Sequence, residues 1–211
     1  QLNSKDFNGA VAQLESAAVS NPESAEIQIA LASAYEGAGR PADMQKAAEI
    51  VIASSKSQSM LEEATFAVGR ARYLQSDYEG ALEAFEAVIS GDVMMDVEEM
   101  ETGDAAPQEM MAEESTLDMG AVQLWAGLSE YKLENYVSAV QYLERAVQLN
   151  PESVDARVNL GAAYIAAKRF EDAELVYTMI IEENPADGQA FFNLGLSQFN
   201  QNNKDGAKEA W

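Results

Sequence analysis

Landmark residues that recur every 34 positions constrain this chain more than any other feature of its sequence. The recurring sets are Ala139 and Ala173, Leu143 and Tyr177, Pro151 and Pro185, and the series Gly127, Gly161 and Gly195. A fixed period of this length is typical of a repeat protein in which each repeat is one small supersecondary unit. We therefore expect a core that is buried between successive repeats rather than inside any single one.

Each repeat reads as two amphipathic helices joined by a short turn. Apolar residues fall at i, i+3, i+4 and i+7, which places them on one stripe of a helix. Small residues such as Ala139, Gly161 and Ala173 mark the points where two helices cross closely. Asn-Pro at 150–151 and 184–185 ends the second helix, because proline cannot continue it. The pattern predicts an all-α solenoid of stacked antiparallel helix pairs.

The repeats divide the chain, residues 1–211, into one array of six units with a single insertion. We place the units at about residues 1–22, 25–59, 62–93, 120–151, 154–185 and 188–211. The period slips by about three residues around 54–59, and it breaks again after Ser90. The acidic, methionine-rich insertion covers residues 94–119, between the second helix of one unit and the first helix of the next.

The insertion allows three interpretations. It is rich in methionine and carboxylates and has no basic residue, which is compatible with a mobile acidic loop. Two short helices at 93–101 and 107–115 are compatible with a lid whose methionines pack on the array or on a partner. Calcium or Cu(I) binding is the least favoured interpretation, because no spaced Asp loop, histidine or cysteine supports it.

The repeats resemble the tetratricopeptide repeat family. The residues that carry the resemblance are Gly161, Tyr164, Phe170, Ala173, Tyr177 and Pro185, then Gly127, Tyr136, Ala139, Ala146 and Pro151, and finally Leu194, Gly195 and Ala207. Gln123 and Arg157 depart from the family where it often has an aromatic residue, and Pro41 departs in a turn. The resemblance implies a right-handed superhelix whose first helices line a concave groove.

Transfer by motif position implies a groove that is unusually apolar. Its residues would be Phe66, Arg70, Tyr73, Leu124, Leu128, Tyr131, Val158, Ala162, Ile165, Phe192, Leu196 and Phe199. An exposed apolar strip normally marks a binding surface, so we expect a protein or peptide partner. The alternative is that curvature or the insertion buries these residues. Some family members grip a terminal carboxylate with Lys, Asn and Arg, but those positions here carry Leu128, Ala162 and Leu196.

The charge balance narrows the class of partner. The chain has 36 acidic against 13 basic residues, a net charge of -23. Such a chain repels the phosphates of nucleic acid and the anionic face of a membrane, whereas its field attracts basic polypeptides and cations. The alternative is that the charge only keeps the protein soluble. The preference for an apolar partner comes from the groove and not from the charge. Its apolar runs are too short to insert across a bilayer. The chain begins with Gln1 rather than Met, which favours an exported location without fixing one.

Nothing in the sequence predicts catalysis, a cofactor or a metal centre. Histidine and cysteine are both absent, which excludes imidazole and thiolate chemistry. Neighbouring carboxylates such as Glu62 and Glu63 point in different directions on a helix, so they do not form an acid–base pair. We therefore expect a protein that is not an enzyme.

The two ends of the array suggest a second function. No polar cap is visible at either end, and Trp211 falls in the register of the core-facing Tyr177. Leu2, Phe7, Phe199 and Trp211 would then form a stacking interface between chains. A head-to-tail contact of this kind builds a filament unless it closes into a ring. The alternative is that the array is simply truncated at its ends. The first two hypotheses are a scaffold that binds a polypeptide in its groove and a structural protein that assembles through its ends. The third is an acidic cation-binding or chaperone-like module that uses the insertion.

Overall fold

The computed structural model describes residues 4–93 and 117–211, and these divide into two compact units. We call residues 1–118 the N-terminal unit and residues 119–211 the C-terminal unit. The described part of the chain contains helices and turns and no strand, which confirms the all-α class. Leu2 and the predictions for the insertion, namely two short helices, a lid and a cation site, lie outside the described residues.

The described residues of the N-terminal unit form five helices, and each helix packs on the next along the chain. They are α1 (Ser4–Ser20), α2 (Ala25–Gly37), α3 (Pro41–Ser54), α4 (Gln58–Leu74) and α5 (Tyr78–Ser90). The slip around 54–59 is absorbed by α4, which has 17 residues and begins where the Ser57 hydroxyl accepts a hydrogen bond from the Met60 N–H.

The C-terminal unit consists of three helical hairpins in chain order. Its helices are α6 (Met119–Lys132), α7 (Tyr136–Leu149), α8 (Val154–Ala166), α9 (Phe170–Glu183), α10 (Gly188–Asn200) and α11 (Lys204–Ala210). Each helix packs on the next, and α8 also contacts both α6 and α10. The first helices of the three hairpins therefore share one wall, and this stacking confirms the predicted solenoid class within the unit.

The turn inside each hairpin repeats one backbone device. The helix ends, one residue adopts a left-handed conformation, and the next N–H donates back into the last turn. In the α8–α9 turn, Lys168 has a φ of 60° and the Arg169 N–H donates to the Tyr164 carbonyl at 2.8 Å. The left-handed residues of the five turns are Gly39, Ser76, Glu134, Lys168 and Asn202. The device reverses the chain with one residue, which keeps both helices of a hairpin antiparallel.

The connections between hairpins follow the predicted Asn-Pro stops. Helix α7 ends at Leu149 and α9 ends at Glu183, each directly before the Asn-Pro pair. The next helix begins two or more residues later on a side-chain cap. The Ser153 hydroxyl accepts from the Ala156 N–H at 3.2 Å, and the Asp187 carboxylate accepts from the Ala190 N–H at 2.9 Å.

The core of most hairpins contains a glycine on the first helix that is covered by a large side chain on the second helix. A Cβ added at Gly161 would lie 2.6 Å from the Tyr177 ring, so only glycine permits this crossing. The same relation, sixteen residues apart, joins Gly69 to Phe85, Gly127 to Leu143 and Gly195 to Trp211. The α2–α3 hairpin departs from it, because the corresponding residues are Ala32 and Ala48, which are 2% and 0% exposed.

Candidate protein-binding surfaces

The first helices of the C-terminal unit present one apolar face. We call it the first-helix face, and its residues are Leu124, Leu128, Tyr131, Val158, Ala162, Ile165, Phe192, Leu196 and Phe199. None of these side chains is charged, and α10 contains no charged residue at all. The face therefore offers aliphatic and aromatic contacts without a competing ion pair.

The exposure of this face increases from α6 and α8 to α10. Leu124, Tyr131, Val158 and Ile165 are half-buried, since each packs against the core cluster of the unit. The side chains of α10 are less covered, with Phe192 at 54% and Phe199 at 51% exposed. The apolar surface that a partner would reach is thus largest at α10.

An aromatic cluster forms at α10 and the end of α11. The Trp211 ring lies 6.3 Å from Phe192 and 6.1 Å from Phe199, and its indole N–H donates to the Phe192 carbonyl at 3.1 Å. Trp211 covers Gly195 as Tyr177 covers Gly161, so the predicted register is correct. Trp211 is nevertheless 60% exposed and does not face a closed core, because no helix of the described chain packs on its outer side.

The predicted groove residues of the N-terminal unit are engaged with their own neighbours. Phe66 is only 8% exposed, and its ring lies 5.8 Å from that of Phe85. Tyr73 meets Tyr78 edge-on at 5.2 Å. The Arg70 guanidinium lies 5.4 Å from the Phe66 ring centroid and forms an ion pair with Glu36. These three residues therefore form a packed wall and not an open apolar strip.

A cavity of about 150 Å³ opens beside that wall, and sequence reasoning missed it. Its lining comes from α2, α3, α4 and the residue Leu117: Ile29, Ala32, Ser33, Glu36, Met44, Ala48, Glu63, Ala64, Phe66, Ala67, Arg70 and Leu117. Met44 and Ala48 are 1% and 0% exposed and form the floor, whereas Ser33 and Glu63 are exposed at the mouth. Comparing Ala48 with the bulky residues in its register would have indicated the cavity.

Two corresponding clusters, each of a tyrosine, a glutamate and an arginine, join a first helix to the helix before it. We call each cluster a clasp. In the C-terminal unit the Tyr164 hydroxyl donates to Glu144 at 2.8 Å, and Arg169 reaches the same carboxylate at 3.2 Å while lying 4.5 Å from the tyrosine ring centroid. Burial, reinforced by Glu144, raises the pKa of Tyr164. Tyr35, Glu15 and Arg40 reproduce the arrangement in the N-terminal unit.

A second ion pair fixes the base of the α8–α9 hairpin. Arg157 stands where the family often has an aromatic residue, and it is 8% exposed. Its guanidinium donates two bonds to Glu183, at 2.5 and 2.6 Å. These bonds raise the pKa of Arg157 and lower the pKa of the Glu183 carboxyl. The pair joins α8, the central helix of the first-helix face, to α9, the second helix of the same hairpin.

The proposed stacking residues at the beginning of the chain are less available. Phe7 is half-buried, and its ring covers Gly37 of α2. Along α1 the exposed side chains are mostly small or polar, and the largest exposed apolar one is Val19, at 85%. The described residues of α1 therefore lack a broad apolar face that would match the aromatic cluster.

Two further observations limit the kinds of site that the described residues hold. Among residues 4–93 and 117–211, no group of three or more His, Cys, Asp or Glu side chains converges in a way that could bind a metal. The same residues include no helix with the length and apolar character needed to cross a membrane.

Stacked antiparallel hairpins with a shared wall of first helices define an all-helical repeat scaffold of the kind that mediates protein interactions. Tetratricopeptide repeat models match residues 1–43 and 131–210, which together cover more than half of the chain. The chain belongs to the tetratricopeptide repeat family. The fold class and the family resemblance inferred from the 34-residue period are both confirmed.

Solved structures with the same fold cover nearly the whole chain at low identity. YrrB, described as a tetratricopeptide repeat protein with an unusual peptide-binding site, aligns with a TM-score of 0.69 at 20% identity over 93% of this chain and 88% of its own. MamA from Desulfovibrio magneticus RS-1 has a TM-score of 0.67 at 18% identity over 88% and 90% of the two chains. A repeat protein from Cytophaga hutchinsonii has a TM-score of 0.72 at 14% identity, over 97% and 71%.

One curated relative is an enzyme, but the similarity to it is short. The UDP-N-acetylglucosamine–peptide N-acetylglucosaminyltransferase of Giardia intestinalis is 38% identical over 60 residues, which is 28% of this chain. The match spans 4% of that enzyme's length. A repeat segment of this size shares a scaffold with the enzyme and carries no argument for catalysis.

Proposed function

We propose that this chain is a scaffold that binds an apolar segment of another polypeptide on the first-helix face of the C-terminal unit. The observation that supports this proposal most directly is the uncharged apolar surface on α6, α8 and α10, with Phe192 and Phe199 more than half exposed. Contiguous exposed apolar surface on a soluble protein normally marks an interaction site.

The geometry favours a segment that lies across the first helices. Half-buried side chains on α6 and α8 give a firm floor, since they are held by the core beneath them. The aromatic rings on α10 give large contact areas with few rotatable bonds, which is favourable at binding surfaces. The clasp at Tyr164 and the Arg157–Glu183 pair hold the hairpins in fixed positions, so little ordering cost is left for binding.

The test selects peptides from a displayed random library on the purified chain and measures their affinity by fluorescence anisotropy. Ala162→Arg places a charge in the middle of the face. Arginine has a high helix propensity, so the substitution should leave α8 intact. Val137→Arg is the matched control, because Val137 is 71% exposed on α7, outside the face. We expect Ala162→Arg to weaken binding at least tenfold and Val137→Arg to leave it unchanged. Equal affinity for both variants would remove the proposal.

A second candidate function is assembly between chains, and the aromatic cluster of Phe192, Phe199 and Trp211 favours it. In this proposal the cluster docks on a second copy of the chain. The exposed surface of α1 is mostly polar, so it is a poor match for the cluster in a head-to-tail contact. Light scattering after size-exclusion chromatography tests the proposal: mass should rise with concentration and return to the monomer value in Trp211→Ser. A constant monomer mass would exclude it.

A further inference from the structure

The cavity of the N-terminal unit has a specific structural origin. In the other hairpins a large side chain from the second helix fills the space over the crossing glycine, as Tyr177 does over Gly161. In the α2–α3 hairpin, Ala32 and Ala48 occupy those two positions. Both are buried, and neither fills the space, so a hollow of about 150 Å³ remains between α2, α3 and α4. The cavity therefore follows from the two alanines at the crossing positions of this repeat.

The size and lining of the cavity suit one apolar side chain. An engineered apolar cavity of about 150 Å³ in another protein binds benzene, which is close in size to a leucine, methionine or phenylalanine side chain. Here the deep part is lined by Met44, Ala48 and Ala64, each at most 1% exposed. Water gains few hydrogen bonds at such a floor, so an apolar group that displaces it is favoured.

The mouth of the cavity adds a charge preference. Glu36 is already paired with Arg70, whereas Glu63 is exposed and has no ion-pair partner among the described residues. The whole chain carries a net charge of -23, so the surrounding field also favours cations. A basic residue next to the inserted side chain would meet the Glu63 carboxylate. An acidic neighbour would be repelled.

We propose that this cavity is a side-chain pocket that accepts a leucine-, methionine- or phenylalanine-sized anchor from a partner polypeptide, with a basic residue beside the anchor facing Glu63. The proposal deepens the scaffold function, because it adds a second contact point with its own specificity. The pocket involves only residues of the N-terminal unit, so it can be tested independently of the first-helix face of the C-terminal unit.

The experiment titrates the full chain with three capped tripeptides and follows the methionine methyl groups by NMR. The probes are acetyl-Lys-Leu-Lys-amide, acetyl-Lys-Ala-Lys-amide and acetyl-Glu-Leu-Glu-amide. Met44 lies on the cavity floor, and its signal is assigned by its loss in Met44→Leu. We expect a saturable shift of the Met44 methyl with the Lys-Leu-Lys probe. Binding should be at least about tenfold weaker for the alanine probe, which leaves the floor uncovered, and for the glutamate probe.

Two variants test the pocket from inside and from its mouth. Ala48→Leu fills the cavity and should abolish the Met44 shift. Ser33→Leu covers the mouth from an exposed position on α2, so it tests the same point without disturbing the core. Glu63→Gln should weaken the Lys-Leu-Lys probe severalfold and reduce its preference over the glutamate probe. Glu23→Gln, an exposed carboxylate before α2 that does not line the cavity, is the matched control.

The outcomes separate this pocket from the scaffold function. If Ser33→Leu abolishes the Met44 shift and Ala162→Arg does not affect it, the pocket is an independent site. No saturable shift with the Lys-Leu-Lys probe, or equal affinity for the leucine and alanine probes, would overturn the proposal. In that case peptides that lose affinity on Ala162→Arg would still support binding at the first-helix face.

Discussion

The α2–α3 and α8–α9 hairpins have similar backbones but differently filled interiors. Each begins with a first helix of 13 residues, turns through one left-handed residue and carries a Tyr–Glu–Arg clasp to the preceding helix. The α8–α9 hairpin places Tyr177 over Gly161, whereas the α2–α3 hairpin has Ala48 beside Ala32. The turns and clasps therefore determine the backbone of a hairpin. The pair at the helix crossing, Gly161 and Tyr177 or Ala32 and Ala48, determines whether its interior is filled or contains a cavity.

The largest loss of stability is expected when a cavity is created in the filled α8–α9 hairpin. Tyr177→Ala removes a side chain that is 0% exposed and should lower the free energy of unfolding by about 3–5 kcal/mol. Urea denaturation followed by circular dichroism measures the change. Leu175→Ala on the same helix, where the side chain is 66% exposed, should change stability by no more than about 0.5 kcal/mol. Equal losses in both variants would contradict the role given to Tyr177.

A smaller effect is expected when a Cβ is forced into the closed crossing. Gly161→Ala places a methyl group against the buried Tyr177 ring, and the strain should exceed the gain in helix propensity by about 1–2 kcal/mol. Thermal unfolding measures the loss.

Two glycines provide matched controls for that substitution. Gly195→Ala meets the ring of Trp211, which is 60% exposed and can move, so its cost should be smaller. Gly9→Ala in α1 has open space around the added methyl group and should stabilise the chain by about 0.5–1 kcal/mol. If Gly161→Ala stabilised the chain as Gly9→Ala does, the crossing would not be closed.

The clasps should respond alike in both hairpins. Tyr164→Phe and Tyr35→Phe each remove one hydrogen bond to a carboxylate and should each cost about 1 kcal/mol. The folded-state pKa of each tyrosine is raised, so their contribution is complete at neutral pH and is lost as pH rises through that pKa. Both variants should therefore show a weaker loss of stability in alkali. A loss in only one variant would break the comparison.

The smallest effect is expected at the Arg157–Glu183 pair, because the Glu183 side chain is 55% exposed. Its pKa lies below the ordinary value of 4.5, so its contribution is present above that pH and is lost as pH falls through the lowered pKa. Glu183→Gln should flatten this acid dependence in urea melts between pH 3 and 6. Glu182→Gln, at the exposed neighbouring residue, is the control and should leave the slope unchanged.

Much of the fold could be predicted because its signals are local. The Asn-Pro stops at 150–151 and 184–185 end helices wherever they occur, and the turns recur in the same register as the apolar stripes. Helix α4 begins at Gln58, four residues before the unit boundary that we placed at about 62, because Ser57 caps it. Local pattern does not reveal which of several serines near a boundary will accept the capping bond.

The candidate site was only partly predictable. The nine apolar residues of the first-helix face were found because the family resemblance transfers the positions of its groove onto this sequence. Their accessibility could not be predicted, because it depends on what the next helix covers. Phe66 and Phe192 are both apolar groove predictions, yet Phe66 is 8% exposed against Phe85 and Phe192 is 54% exposed. The cavity beside Phe66 arises where Ala48 stands in place of a bulky side chain, and only a comparison of the repeats in register would indicate it.

By itself the sequence determined the helices, their turns, the period of 34 and the apolar character of one helix face. These features depend on interactions within a few residues along the chain. Only the tertiary structure decided that Trp211 is exposed, that Arg157 pairs with Glu183, and that Ala48 leaves a hollow where Tyr177 leaves none. Each of these depends on which side chains distant segments bring to the same place, and close packing makes that a property of the assembled hairpins.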